Sequence, residues 1–221
     1  MMHKTVHCRL SICLLFFLLS TFLTSCQSTY YGAMEKIGIH KRDIMIERVE
    51  SARDSQAEAK AQFKSALAQF NHVLNVKGGE LQQKYDTLNR EYEESEEKAA
   101  VVSKRIRKVE NVSEALFEEW REEISQYHSD KLKQDSEIKL QTTKEQYKKL
   151  IGAMKRAEKK IHPVLIAFQD QVLYLKHNLN AQAITSLQEE FTSVEDNIGI
   201  LIKEMEASIK EADSFIQSLK N

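Results

Sequence analysis

Side chains able to make or break bonds are few in this chain, which has three cysteines and seven histidines in 221 residues. A di-iron centre in a long-helix bundle needs a Glu-x-x-His pair on each of two helices. The residues three before His40, His72, His128, His162 and His177 are Ile37, Gln69, Ser125, Lys159 and Tyr174, so that pattern is missing. Glu158 and His162 lie one helical turn apart, but two ligands are too few for a metal site, and a surface pair accounts for them. Asp170, Tyr174 and His177 form a polar stripe at helical spacing, read as a contact with a neighbouring helix or a partner. Lys77-Gly78-Gly79-Glu80 lacks the GK[ST] ending of a phosphate loop, and no Gly-x-Ser-x-Gly elbow occurs. The runs from Glu91 to Glu97 and from Glu118 to Glu123 read as solvated acidic faces. The expectation is a protein that is not an enzyme and carries no metal and no cofactor.

The thiol with a chemical context is Cys26. Ahead of it lie Lys4 and Arg9, then an apolar run from Leu10 to Leu23 of about fourteen residues. That order follows signal-peptide grammar, and the run is shorter than the roughly twenty residues of a spanning helix. Leu23-Thr24-Ser25-Cys26 resembles the lipobox of bacterial lipoproteins. The resemblance implies a diacylglyceryl thioether on Cys26, cleavage before it, and acylation of the new amine by a chain such as palmitate. Each buried methylene contributes about 0.8 kcal/mol, and two or more chains anchor stably in a bilayer. An ordinary secretion signal with an incidental cysteine, or an uncleaved anchor, are the alternatives. Gln27 in place of Asp resembles the outer-membrane class of lipoproteins, facing the periplasm; an inner-membrane lipoprotein is the alternative. The domains read as 1–25 lipoprotein signal peptide, 26–39 lipidated N-terminus and tether, and 40–221 a single elongated helical bundle.

Cleavage would remove Cys8 and Cys13, leaving no partner for Cys26 and hence no intrachain disulfide or cysteine metal knuckle. Loss of Lys4 and Arg9 takes the net charge from −1 to −3, with both signs interspersed, which is unlike the basic stripe of a nucleic-acid binder. One proline and six glycines leave a composition that favours helix almost throughout.

Four seams of alternating four-three spacing follow the tether. The first runs through Met45, Val49, Ala52, Gln56, Ala59, Phe63, Ala66, Phe70 and Val73, and Gly78-Gly79 ends it. The second runs from Leu81 through Leu88, Ser95, Val102 and Val109 to Leu116, Trp120 and Tyr127, with a possible bend at Asn111 to Ser113. Ser129 or Asp130 is the expected N-cap of the third, whose seam comprises Tyr147, Ile151, Met154, Ile161, Leu165, Phe168, Val172, Leu175 and Leu179. Pro163 lies inside it, and because the heptad phase survives, a kink is expected rather than a chain reversal. Asn178-Leu179-Asn180 is a turn, attributed to asparagine's tolerance of the left-handed conformation. The fourth seam runs from Ile184 to Leu219.

Helices of about forty to fifty residues would each span roughly 60–75 Å. Matched lengths and short turns predict an all-α, up-down-up-down four-helix bundle, with two associated coiled-coil hairpins as the alternative. Folding at Gly78-Gly79 is expected to bring Lys60 and Lys64 near Glu93, Glu94 and Glu97, and folding at Ser129 to bring Lys159 and Lys160 near the same run. The anchor, the His128 to Asp130 turn and the C-terminus would share one end, with Ile37, Trp120, Ile138 and Leu219 in a layer. Gly78, Gly79, Asn178 and Asn180, with His72 and His177, would form the distal tip. Gln56, Ser95 and Ser208 at seam positions leave the oligomeric state open, a homo-oligomer included.

Arg42-Asp43-Ile44, Arg48-Val49-Glu50, Ala52-Arg53-Asp54, Glu58-Ala59-Lys60, Lys84-Tyr85-Asp86, Trp120, Pro163-Val164-Leu165 and Val172 through Ala181 resemble an uncharacterised family of bacterial long-helix lipoproteins. The resemblance covers nearly the whole mature chain and is most specific at Leu175 to Ala181. It implies no activity and supplies no site residues. The functional expectation is a membrane-anchored, non-enzymatic spacer or protein-interaction module of the cell envelope. It would be bound to the bilayer through Cys26 and to an unidentified envelope protein, with no nucleic-acid partner. His177, Asn178, Asn180, Gly78 and Gly79 are the candidate partner contacts. The alternative is a periplasmic chaperone-like clamp for unfolded clients.

Overall fold

The computed structural model describes residues 25–36, 38–75, 81–178 and 180–220, apart from the side chains of 25–29 and 181. Among the described residues the fold is all-α, with α1 Ser25–Lys36, α2 Lys41–Asn75, α3 Leu81–Ser125, α4 Asp130–His177 and α5 Ala181–Lys220. The chain divides into two units, Met1–Ile44 and Met45–Asn221. No helix among the described residues is long and apolar enough to cross a membrane.

In the first unit, the stretch expected to be a plain connection is largely helical. Ala33-Met34-Glu35-Lys36 supplies good helix formers, and Gly38, at φ 84, supplies the stop. The Gly38 amide donates to the Glu35 carbonyl at 2.9 Å and the Ile39 amide to the Met34 carbonyl at 3.0 Å, which satisfies two of the free acceptors at the end of α1. Lys41 and Glu35 form an ion pair after the turn.

The second unit is the bundle. Every seam position of α2 from Met45 to Val73 is buried, because a strict four-three repeat keeps one stripe inward over eight turns. In α3 the expected seam is buried from Ser95 to Leu116 and at Leu88, with Glu91 inside in place of the expected, half-buried Tyr92, and Val112, Phe117 and Ile124 join it. The helix stops at Ser125, so Tyr127 leaves the seam and is exposed. Ser129 caps α4 as expected: at φ −94, ψ 115 its Oγ accepts from the Leu132 amide at 3.4 Å. α4 then continues unbroken for 48 residues, about 72 Å of helix, with Pro163 inside it and no chain reversal. It buries a wider face than the single seam expected: Leu150, Ala153, Ala157, Val164 and Gln171 are inside, while Ile151 and Leu165 are only half-buried. The helix touches three neighbours, so it needs apolar side chains on more than one track.

Side-chain contacts fix the arrangement. Phe63 and Phe70 of α2 both stack on Phe168 of α4, with centroids 6.4 and 4.5 Å apart, so these two helices face each other across the core. Tyr147 of α4 meets Phe117 of α3 edge-on at 5.5 Å and Phe215 of α5 at 6.4 Å. Around the outside, Arg53–Asp213 (2.9 Å), Lys60–Glu206 (3.3 Å) and Lys220–Glu50 (2.9 Å) join α2 to α5, and Lys98–Glu58 (2.8 Å) joins α3 to α2. Lys155–Glu110 (2.5 Å) joins α4 to α3, and Arg156–Glu204 (3.5 Å) joins α4 to α5. As residue numbers rise on one helix of each of these pairs they fall on the other, so sequential neighbours are antiparallel and α5 closes against α2. The fold is the up-down-up-down four-helix bundle.

Three expectations about polar and apolar placement are corrected. Lys60 and Lys64 pair with Glu206 of α5, not with the acidic run of α3, because α2 turns that face toward α5. Glu91 is not solvated; it is 7 % exposed and accepts from Gln62 Nε2 at 3.0 Å. Ile138 does not join a core layer with Leu219: it is 58 % exposed whereas Leu219 is buried, and Trp120 is half-buried. Ile37, the fourth member of that layer, lies outside the described residues.

Candidate functional site

The carboxyl ends of α2 and α4 and the start of α5 share one end of the bundle, as the Phe70–Phe168 stack and a 2.6 Å bond from Gln188 Nε2 to the Leu74 carbonyl require. His72, in the last turn of α2, and His177, the last residue of α4, are both exposed. Asn178 is the C-cap of α4 at φ −130, ψ 60, and among the described residues no non-glycine has a positive φ, so the left-handed conformation expected for the asparagines is not used there. Capping explains them instead. Asn178 Nδ2 donates to the Tyr174 carbonyl at 2.9 Å, and Asn180 Oδ1 accepts from the Ala183 amide at 3.0 Å, closing one helix and opening the next. Gly78, Gly79 and Leu179 lie outside the described residues. So does the side chain of Cys26, whose backbone is in the first turn of α1.

A cleft of about 470 Å³ opens between α4 and α5 just below this tip. Its apolar floor includes Leu187 and Val194, both buried, and its rim carries Asp170, Tyr174, Glu189 and Glu190, all exposed. Asp170 and Tyr174 belong to the polar stripe seen in the sequence; His177, its third member, is not part of the lining. Gln171 also lines the cleft. It is 4 % exposed, and neither Oε1 nor Nε2 has a hydrogen-bond partner. Leaving a buried amide unsatisfied costs about 1–3 kcal/mol by mutational measures, so such a group is conspicuous. The sequence does carry its signal, since Phe168, Gln171 and Leu175 follow the same three-four spacing as the seams, with a polar residue in the middle place.

At the opposite end, a shallow hollow of about 600 Å³ is lined by Trp120, Tyr127, Leu132, Ser136 and Ile138. Trp120 Nε1 donates to Ser136 Oγ at 2.9 Å, which fixes the indole, while Tyr127, Leu132 and Ile138 are 45–58 % exposed.

Burial raises the Tyr147 phenol above its ordinary value between Phe117 and Phe215, and burial next to Arg48, Arg105 and Lys104 lowers Lys108. Neither group lines the cleft. Glu158 is half-buried and His162 exposed, and among the described residues no three or more His, Cys, Asp or Glu side chains are placed to hold a metal ion.

The long seams, the capped tip and Val172 through Ala181 are all contained in one sequence family. No curated protein matches the chain. A family model matches residues 30–219, all but the N-terminal segment and the last two residues, and the chain thus belongs to the family described as Protein of unknown function (DUF2959).

Proposed function

We propose that this chain is a lipid-anchored envelope protein, held in the outer membrane through Cys26 and facing the periplasm, whose bundle acts as a non-enzymatic spacer and protein-interaction module. The observation that carries the reading is the closure of four long seams within one chain, with α2 and α4 stacked through Phe63, Phe70 and Phe168. A closed bundle about 70 Å long suits holding a surface at a fixed height. The chain enters this unit at Met45, at the end that also bears exposed Tyr127, Leu132 and Ile138. Aromatic and apolar side chains of that kind sit well at a headgroup boundary.

The test is membrane fractionation and crosslinked capture from intact cells, comparing the wild type with a Cys26→Ala variant that carries an ordinary secretion signal. Sedimentation of the wild type with outer membranes, release of the variant, and a partner captured only by the anchored form support the reading. Equal sedimentation of both forms refutes lipid anchoring.

A second reading, a clamp whose hairpins open around unfolded clients, is favoured by the unpartnered polar atoms of Gln56 and Ser208 in the core. Hydrogen exchange separates the two: uniformly slow exchange along all four seams fits the spacer, and one fast hairpin fits the clamp.

A further inference from the structure

We propose that the corner where α3 turns into α4 is a membrane-docking surface. Tyr127, Leu132 and Ile138 enter the headgroup boundary of a phospholipid leaflet beside Trp120, and Asp135 and Lys139 meet the ammonium and phosphate of zwitterionic lipids. The proposal rests on the anchored reading for what brings this corner to a leaflet, and adds the surface that meets it.

The corner is bare for a structural reason. α5 runs antiparallel to α4 from the Tyr147–Phe215 contact and is described only as far as Lys220, so its described part does not extend alongside the first turns of α4. Leu132 and Ile138 are accordingly 54 and 58 % exposed, and Tyr127, between the two helices, is 45 % exposed. With half-buried Trp120 they line the hollow of about 600 Å³. Because Trp120 Nε1 already donates to Ser136 Oγ, the indole can meet an apolar medium without carrying an unsatisfied N–H into it.

Charge selects the occupant. Asp135 and Lys139 line the same hollow and are exposed. The core of a protein interface is depleted in charged residues, because a partner there would have to bury both; a headgroup layer keeps them hydrated while the apolar side chains sink beside them. In the first turns of α4, Asp130, Asp135 and Glu137 balance Lys131, Lys133 and Lys139. An anionic surface is met by clusters of lysine and arginine without matching carboxylates, whereas balanced signs fit headgroups that carry both. Position agrees, since the chain enters the bundle at this end, and a tether of residues 27–44 from Cys26 makes a contact of few side chains effectively intramolecular.

The chain's single tryptophan lies in the site and reports on it directly. The test exports the chain on a secretion signal without a lipobox, which replaces residues 1–25 and leaves Cys26 as the only thiol. That thiol is coupled to a maleimide-bearing lipid in vesicles of phosphatidylcholine and phosphatidylethanolamine. Bromination of the acyl chains should lower Trp120 emission at least twofold. The double variant Leu132→Glu, Ile138→Glu, changed only at exposed positions, should lose the quenching and keep the melting temperature. Addition of anionic phosphatidylglycerol should leave wild-type quenching unchanged. An unquenched wild type, or equal quenching in the double variant, overturns the surface, and quenching seen only with phosphatidylglycerol overturns the zwitterionic headgroup. A dimer of the uncoupled chain in sedimentation that the double variant dissolves assigns the corner to a second copy and overturns the lipid. Coupling is chemical, so failure here leaves lipidation of Cys26 standing, and failure of lipidation in cells leaves this result intact.

Discussion

Phe70 stacks on Phe168 with ring centroids 4.5 Å apart and planes 11° from parallel, joining α2 to α4 across the bundle. Neither helix follows the other directly in the chain, so this pair holds the two hairpins together. Phe168 is fully buried and also meets Phe63. Phe168→Ala should therefore cost about 3–5 kcal/mol, at the upper end for a core truncation, and lower the urea midpoint accordingly. A loss below about 1 kcal/mol would mean that the hairpins are held elsewhere.

Much of this core is legible in the sequence. The seam of α2 could be read residue by residue, because a helix with one strict heptad stripe has one way to face inward. α4 could not, because Leu150, Ala153, Val164 and Gln171 form a second buried track, and a search for one stripe discards the other. Ion pairs were not legible either: Lys60 and Lys64 have several carboxylates within reach, and the rotation of α2 chooses Glu206. The same limit hid the cleft, since its carboxylates come from two helices whose relative register no single stretch encodes. The asparagine turn was visible, but its mechanism is capping rather than a left-handed backbone.

That mechanism makes the tip testable. Asn180 Oδ1 accepts from the Ala183 amide at the start of α5, so Asn180→Ala should cost about 1 kcal/mol and Asn180→Asp or Asn180→Ser much less. Thermal melts of the three variants check the order. Equal losses in all three would remove the cap from the account and leave Asn180 available for a partner role.

Tyr147 predicts a pH effect at the alkaline end. Burial raises its phenol above the ordinary value, so the folded chain keeps this proton at a pH where the unfolded chain has lost it. Stability is thus unaffected below the unfolded pKa of about 10 and falls as pH rises through the folded value. Tyr147→Phe should flatten the melting temperature against pH above about 10, relative to wild type. Parallel curves would show that other groups govern the alkaline limb.

The surface bridges between α2 and α5 predict a small effect. Arg53 is bonded to Asp213 and Asp54 and is raised above its ordinary pKa by both, chiefly by Asp213. Exposed pairs of this kind contribute about 0–1 kcal/mol each, so Asp213→Asn should lower stability by no more than that, and 1 M salt should erase the difference. A salt-resistant loss would point to packing rather than charge.

Two forces oppose each other at Gln56. It is fully buried on α2 with both amide atoms unpartnered, and Ser208 Oγ on α5 is buried and unpartnered as well. The Arg53–Asp213 and Lys60–Glu206 bridges bracket the two residues from either side, so they occupy one stretch of the α2–α5 interface. Removing an unsatisfied buried amide should stabilise, so Gln56→Leu is expected to gain about 1–3 kcal/mol in urea unfolding. A polar residue at a seam position can also specify register, at a cost in stability. If Gln56 does so, the stabilised variant should lose uniqueness, with broader unfolding and dimers or higher species in sedimentation. A Gln56→Leu chain that is more stable, sharply cooperative and unchanged in mass assigns Gln56 no register role; one that is less stable shows that the amide is satisfied in solution, by water or by a second chain.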